Sequence, residues 1–223
     1  MAGPHLRMTT IQTSDGLSLE ARWDDAGKPT GAVVVLCHPH PLDGGTMNAP
    51  LLQKVAGTLI AAGIHVLRFN FRGVGASEGS WGKGVAETLD VAAAVEAADL
   101  AFPGDRIGVA GWSFGATTSL RWQIETDSEL PWVGIAPGIH SYRGSTVPDP
   151  SLLHPADRLI IGGDRDQFSS LEEMEQFAQG AAARFEVLRG SDHFFYHREE
   201  MVGSLVAAHF AASTDLKDHL SEA

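Results

Sequence analysis

The sequence predicts an α/β fold, a mostly parallel central sheet with helices on both faces. Short β-branched runs alternate with longer segments of helical period. A Gly-x-Ser-x-Gly pattern stands where a predicted strand meets a predicted helix. An acidic loop and a histidine loop follow two later strands, in that order.

The antiparallel start comes first. Residues 9–13 and 17–23 read as strands around Ser14-Asp15-Gly16, and Asp-Gly between extended runs is a hairpin signal. Ala32 to Cys37 is a continuous apolar run, as expected of a strand buried on both faces. A helix is expected from about Ala49 to Ala62, with Leu52, Val55, Leu59 and Ala62 at helical spacing. Asn48 serves as its cap, Pro50 fits its first turn and Gly63 its end. Ile64 to Phe71 reads as a strand, then 72–79 as a glycine-rich loop. A helix over 84–101 places Ala86, Leu89, Ala93, Ala97 and Leu100 on one face.

Residues 106–110 form the next strand and 114–123 the next helix. Strands follow at 132–136 and 158–161. Ser169 and Ser170 precede Glu172 and Glu173 by three residues each, a capping-box pattern that opens a helix with Leu171, Met174, Phe177, Ala178 and Ala181 facing inward. Residues 185–188 form the last strand and 195–212 the last long helix. The polar tail, 214–223, is expected to fray.

With 223 residues and no linker or composition shift, one domain spanning 1–223, with its core at about 10–212, is the economical organisation. A chain of this length buries about 70% of its unfolded surface without a metal or disulfide staple. Sixteen basic residues against 28 acidic ones give a net charge of −12. Nucleic acid and anionic membrane surfaces are therefore poor partners, because phosphate binding draws on basic patches that are missing here. The single cysteine, Cys37, permits no intramolecular disulfide and reads as an inert core thiol. Met1 to His5 carries no apolar signal region and no run reaches membrane-span length, so a cytoplasmic location is the default expectation.

Gly111-Trp112-Ser113-Phe114-Gly115 carries the chemistry. A sharp strand-to-helix turn would hold Ser113 with its Oγ exposed, and flanking glycines relieve the crowding there. Helix amide dipoles would point at the serine, where an oxyanion develops. A serine nucleophile needs a base, and the base needs an orienting acid; in a fold with this strand–Ser–helix turn the chain order is Ser, then Asp or Glu, then His. His193, in the loop between the last strand and last helix, fits the base. The acid belongs to Gly162-Gly163-Asp164-Arg165-Asp166. Asp166 has more reach towards His193, whereas Asp164 also reads as a turn residue that binds backbone amides; Asp192 is too close in sequence to orient the ring.

The loop Cys37-His38-Pro39-His40-Pro41-Leu42-Asp43-Gly44-Gly45 should supply the second oxyanion donor, beside the Phe114 amide. Pro39 and Pro41 have no N–H, which leaves the His40 amide first and Leu42 behind it. His38-x-His40 also hints at a metal site, but the further ligands in metal-site spacing are missing. The loop 72–79 almost spells a dinucleotide fingerprint, with its third glycine one place late and no helix opening at once. It reads as a tight structural loop.

Together these motifs resemble the α/β-hydrolase superfamily, in particular its small lidless bacterial branch near the dienelactone-hydrolase-like proteins. The matching segments are His38 to Pro41 with Gly44 to Met47, Phe69 to Gly75 with Ser77 and Gly79, Gly111 to Gly115, Gly163 to Asp166, and Asp192 to Phe195. The resemblance implies a serine hydrolase with Ser113 as nucleophile, Asp166 as orienter, His193 as base, and the His40 and Phe114 amides as oxyanion hole. Dienelactone hydrolases themselves use a cysteine nucleophile, so serine at 113 points to another substrate.

The expected reaction is hydrolysis of small carboxylic esters without cofactor or metal. The same triad also serves thioesters, amides and acyl transfer, and a non-catalytic interaction protein on the same fold is a further alternative. The irregular segment from Gly138 to Asp157 is too short for a helical cap, so the pocket should be open and suit short, water-soluble esters. Trp81, Trp112 and Phe114 are candidates for its apolar wall, with core packing also open to Trp112.

Overall fold

A computed structural model describes residues 6–218. Met1 to His5 and residues 219–223, which include the end of the polar tail, lie outside the described residues. Strands β1 (Leu6–Gln12) and β2 (Ser18–Asp24) form the expected antiparallel hairpin, closed by Gly16 at φ 87°. Then come β3 (Ala32–Cys37), α1 (Pro50–Ala61), β4 (His65–Phe69), α2 (Glu87–Ala101), β5 (Arg106–Trp112) and α3 (Phe114–Thr126). The chain continues through β6 (Trp132–Ile135), β7 (Arg158–Gly163), α4 (Leu171–Gly180), β8 (Arg184–Leu188) and α5 (Glu199–Asp218).

Among the described residues eight strands make one sheet in the order β1-β2-β4-β3-β5-β6-β7-β8, antiparallel at β1-β2 and β2-β4 and parallel thereafter. This is the α/β-hydrolase fold. The pleat of β3 distributes two cores. Val33, Val35 and Cys37 face α2, α3 and α4, while Val34 and Leu36 face α1 and α5. After β3 the chain moves to β4 on one side and then crosses to β5 on the other. The loops leaving β3 and β5 therefore diverge at adjacent strand ends, where a crevice opens.

Several local expectations need correction. Ala49, not Asn48, precedes the first turn of α1, and no side chain caps it. Pro50 at the helix start already removes one of the amides a cap would serve. Helix α2 starts at Glu87, because Lys83 and Gly84 hold left-handed dihedrals that a helix does not admit. Its buried residues are Glu87, Thr88, Asp90, Val91, Ala93, Ala94 and Ala98; of the expected face Ala93 is buried, but Leu100 is exposed. Two charged residues on the inward stripe hid that face from hydropathy. Asp90 is buried because its carboxylate takes the Arg72 side chain (2.7 and 2.9 Å) and backbone amide (2.9 Å). Glu87 accepts the amides of Gly82 and Gly84.

The capping box of α4 is Ser170 with Glu173, and Leu171 is exposed rather than inward. Helix α5 begins at Glu199 instead of 195, since Phe195 and His197 hold positive φ in the preceding turns, and it continues into the expected tail as far as Asp218. Among the described residues, no helix is long and apolar enough to cross a membrane.

Candidate active site

Ser113 sits between β5 and α3 at φ 53°, ψ −113°. A non-glycine residue in such a conformation stores on the order of 1–3 kcal/mol and is held only where its surroundings over-determine it. Here its N–H donates to the Ile135 carbonyl (2.8 Å), and its own carbonyl accepts from the Thr117 amide (3.2 Å), the Thr117 hydroxyl (3.2 Å) and the Gly138 amide (3.3 Å). The two glycines of the motif are steric requirements. A Cβ on Gly111 would run into the backbone of Gly115 and Ala116, and one on Gly115 into the carbonyls of Cys37 and His38. Gly115 thus lets the turn abut the loop after β3.

That loop is organised by its histidines. His38 is buried; its Nδ1 lies 2.6 Å from the Pro39 carbonyl, and its Nε2 accepts from the Phe71 amide at 3.0 Å. Both nitrogens are therefore engaged by backbone, which leaves neither for a metal. Burial pushes its pKa down to about 4, so the ring is neutral.

His40 precedes a short 3-10 turn over Pro41–Asp43, and its Nδ1 accepts from the Leu42 amide at 3.2 Å. Leu42 is thereby removed from the pair of candidate oxyanion donors. The His40 N–H has no acceptor among the described residues, and the Phe114 N–H, first in α3, has none within the helix. The two rings pack at 5.2 Å, so the two residues are neighbours.

The loop after β7 meets the loop after β8 because Gly163 has no Cβ to strike the Ser191 carbonyl. The Arg165 amide donates to that carbonyl at 2.9 Å. Asp166 is the carboxylate placed against His193, with Oδ2 2.8 Å from Nδ1. Its Oδ1 accepts the amides of Phe168 (2.8 Å) and Ser169 (3.3 Å), which fixes the carboxylate plane. Asp164 instead accepts the Gly190 amide and ties the two loops, while Asp192 accepts the Phe194 amide in a local turn. His193 is held from its backbone as well. Its carbonyl accepts from the Trp112 indole at 3.1 Å and its amide donates to Gln167 Oε1 at 3.3 Å. With Nδ1 donating to a carboxylate, Nε2 is left with the lone pair.

Ser113, His40, Phe114 and His193 line one cleft of about 630 Å³. Trp112 and Phe114 belong to its wall, but Trp81 does not. It packs behind the cleft, against His40 (4.8 Å) and Phe114 (5.1 Å). Three further aromatic residues of the wall were not expected from the sequence: Phe168 and Phe194 beside His193, and Tyr142, whose ring meets His40 at 5.2 Å. Phe168 stands two residues after Asp166 and Phe194 directly after His193, which was the available signal. The segment 138–157 lines the cleft with its first part, up to Thr146, and holds only an isolated Tyr142–Ser145 bridge and a short 3-10 turn, Pro150–Leu152, so it builds no helical cap.

A family model described as serine aminopeptidase, S33 (Hydrolase_4) matches residues 28–154, and the chain belongs to this family. It is a serine hydrolase of the lidless α/β branch. An α/β serine hydrolase homologue from Coxiella burnetii is 30% identical, with TM-score 0.80 over 93% of this chain and 98% of that one. XC6422 from Xanthomonas campestris, described as an a/b serine hydrolase without lid, is 26% identical, with TM-score 0.81 over 95% and 96%. An uncharacterized Rickettsia prowazekii protein, RP471, is 29% identical over 195 residues, 82% of this chain and 79% of the relative.

Proposed function

We propose that the protein hydrolyses small carboxylic esters through an acyl-enzyme on Ser113. The observation that carries this reading is the strained Ser113 in a cleft shared with His193, whose Nδ1 is held by Asp166. Ser113 Oγ attacks the ester carbonyl as its proton passes to His193 Nε2, and the oxyanion is received by the His40 and Phe114 amides. Collapse breaks the acyl C–O bond, and the proton on Nε2 leaves with the alcohol. Water then gives a proton to Nε2, attacks the acyl carbon and releases the acid, and the proton returns to Ser113.

Esters are favoured over the free amino termini of peptides by the charges in the cleft. An aminopeptidase must bind an α-ammonium. Among the described residues, Asp43 is the sole acidic one lining the cleft, and it is paired with Arg143 at 2.7 Å. The missing cap and the exposed Tyr142 and Phe168 suit short, water-soluble substrates.

A fluorophosphonate probe with peptide mapping, together with p-nitrophenyl esters of increasing acyl length, tests the proposal. Labelling of Ser113, turnover of short esters, and a loss of about ten-thousandfold or more in Ser113→Ala are expected. Labelling elsewhere, or an active Ser113→Ala protein, would sink it.

A further inference from the structure

The cleft is electrically lopsided. Beside His193 its wall is aromatic, with Trp112, Phe168 and Phe194. Along α3 it is polar, formed by Thr117, Thr118, Arg121, Ser145 and Thr146. Phe114, Thr117, Thr118 and Arg121 recur at helical spacing, so one face of α3 forms the floor leading away from Ser113.

Arg121 is half-buried at the far end of that floor. Its Nη2 donates to the Thr146 carbonyl and hydroxyl, both at 2.8 Å, which holds the guanidinium in place. Among the described residues no carboxylate pairs with it, and its Nε and Nη1 donors engage no protein acceptor. The other charged groups lining the cleft are engaged elsewhere, Asp43 with Arg143 and His140 3.5 Å from Glu173, and Glu125, one turn further along α3, forms no ion pair with Arg121 among the described residues. Lys83, another cation with no carboxylate partner among the described residues, runs its stem past Gly144 beside this end. In a chain of net charge −12, an unpaired, positioned guanidinium facing a substrate cleft is a local reversal of sign.

We infer that Arg121 is a specificity-determining residue that receives a carboxylate on the acyl part of the substrate, so that the preferred esters are half-esters of short dicarboxylic acids. The inference rests on the ester-hydrolase reading above. Protonation of the leaving alcohol by His193 places the alcohol on the aromatic side, and the acyl chain then runs along α3. Ser113 and Arg121 are about 12 Å apart along the helix axis. The side chain of Arg121 leans back towards the helix start, and a bound carboxylate stands nearer still. Together these leave room for roughly two to four methylene groups between ester carbonyl and carboxylate. A guanidinium binds a carboxylate through charge-assisted hydrogen bonds, and Arg121 has Nε and Nη1 donors free for one while Nη2 stays on Thr146.

The test compares mono-p-nitrophenyl adipate with p-nitrophenyl hexanoate, using the Ser113→Ala protein as blank. Wild type should show a kcat/KM ratio favouring the anionic ester by about tenfold at low salt, carried mainly by KM and shrinking as KCl is added. Arg121→Gln retains a side chain able to bond Thr146 and should lose that preference, whereas Arg121→Lys should recover part of it. Turnover of the neutral ester with no anionic preference in wild type overturns this inference and leaves the hydrolase reading standing. So does a preference that survives in Arg121→Gln. Failure to turn over either ester, with no labelling of Ser113, overturns both.

Discussion

Asp166 Oδ2 lies 2.8 Å from His193 Nδ1, while Asp164, two residues earlier in the same loop, gives its carboxylate to the Gly190 amide. Both acids come from one short loop, yet only one faces the imidazole. The difference follows from chain direction. β7 ends at Gly163, the Arg165 amide pins the loop to Ser191, and the next residue is turned towards the histidine.

Asp166→Asn should therefore leave the fold intact and lower kcat on the order of ten-thousandfold, because an amide at this position no longer enforces the tautomer with Nε2 free. Asp164→Asn should cost far less in kcat and act mainly on the thermal stability of the two loops. Steady-state kinetics on a p-nitrophenyl ester, with melting curves for both variants, make the comparison. The reverse ranking would show that Asp164 orients the base.

What the sequence made legible, and what it hid, divides along physical lines. The parallel core announced itself because β3 is apolar at every position, and the turn at Ser113 because glycine is required wherever backbone meets backbone. The order Ser113, Asp166, His193 came from the placement of loops after successive strands. The face of α2 was hidden because Glu87 and Asp90 are buried by partners distant in sequence. The aromatic wall was hidden too. Tyr142 and Phe168 are exposed loop residues, the first placed by the course of segment 138–146 along the cleft and the second by the turn after β7, and no local period records either.

His38 gives the fold an acid limit. Its ordinary pKa of 6.5 falls to about 4 in the folded protein, through burial. Between those values the unfolded chain takes up a proton that the native state does not. Stability should therefore fall as pH is lowered from about 6.5 to 4, by on the order of 3 kcal/mol from this group. Burial depresses His40, His65 and His209 in the same direction. His38→Gln offers an acceptor for the Phe71 amide and a donor for the Pro39 carbonyl without titrating. Urea unfolding of both proteins at pH 7, 5.5 and 4.5 should show the advantage of wild type shrinking as pH falls. A constant difference would mean that His38 is not the group refusing the proton.

The imidazole of His40 carries a further prediction. From sequence alone this ring is dispensable, since only the backbone N–H at position 40 is needed. The structure gives the ring two tasks: its Nδ1 accepts the Leu42 amide, and its faces and edges pack against Trp81, Phe114 and Tyr142. Removing it frees an amide and opens space beside the proposed oxyanion donors, while the His40 carbonyl still accepts the Asp43 and Gly45 amides and keeps the turn together. Losing one oxyanion donor outright costs about a hundred- to thousandfold. A donor that is still present but less well aligned should cost less, so His40→Ala is expected to lower kcat about tenfold with KM little changed. His40→Asn, whose side-chain oxygen can cap the same turn, should recover part of the loss. If His40 were instead a metal ligand, prolonged EDTA treatment of wild type would reproduce the alanine phenotype, and asparagine would rescue nothing. An alanine variant with unchanged kcat would show that the loop holds its shape without the ring.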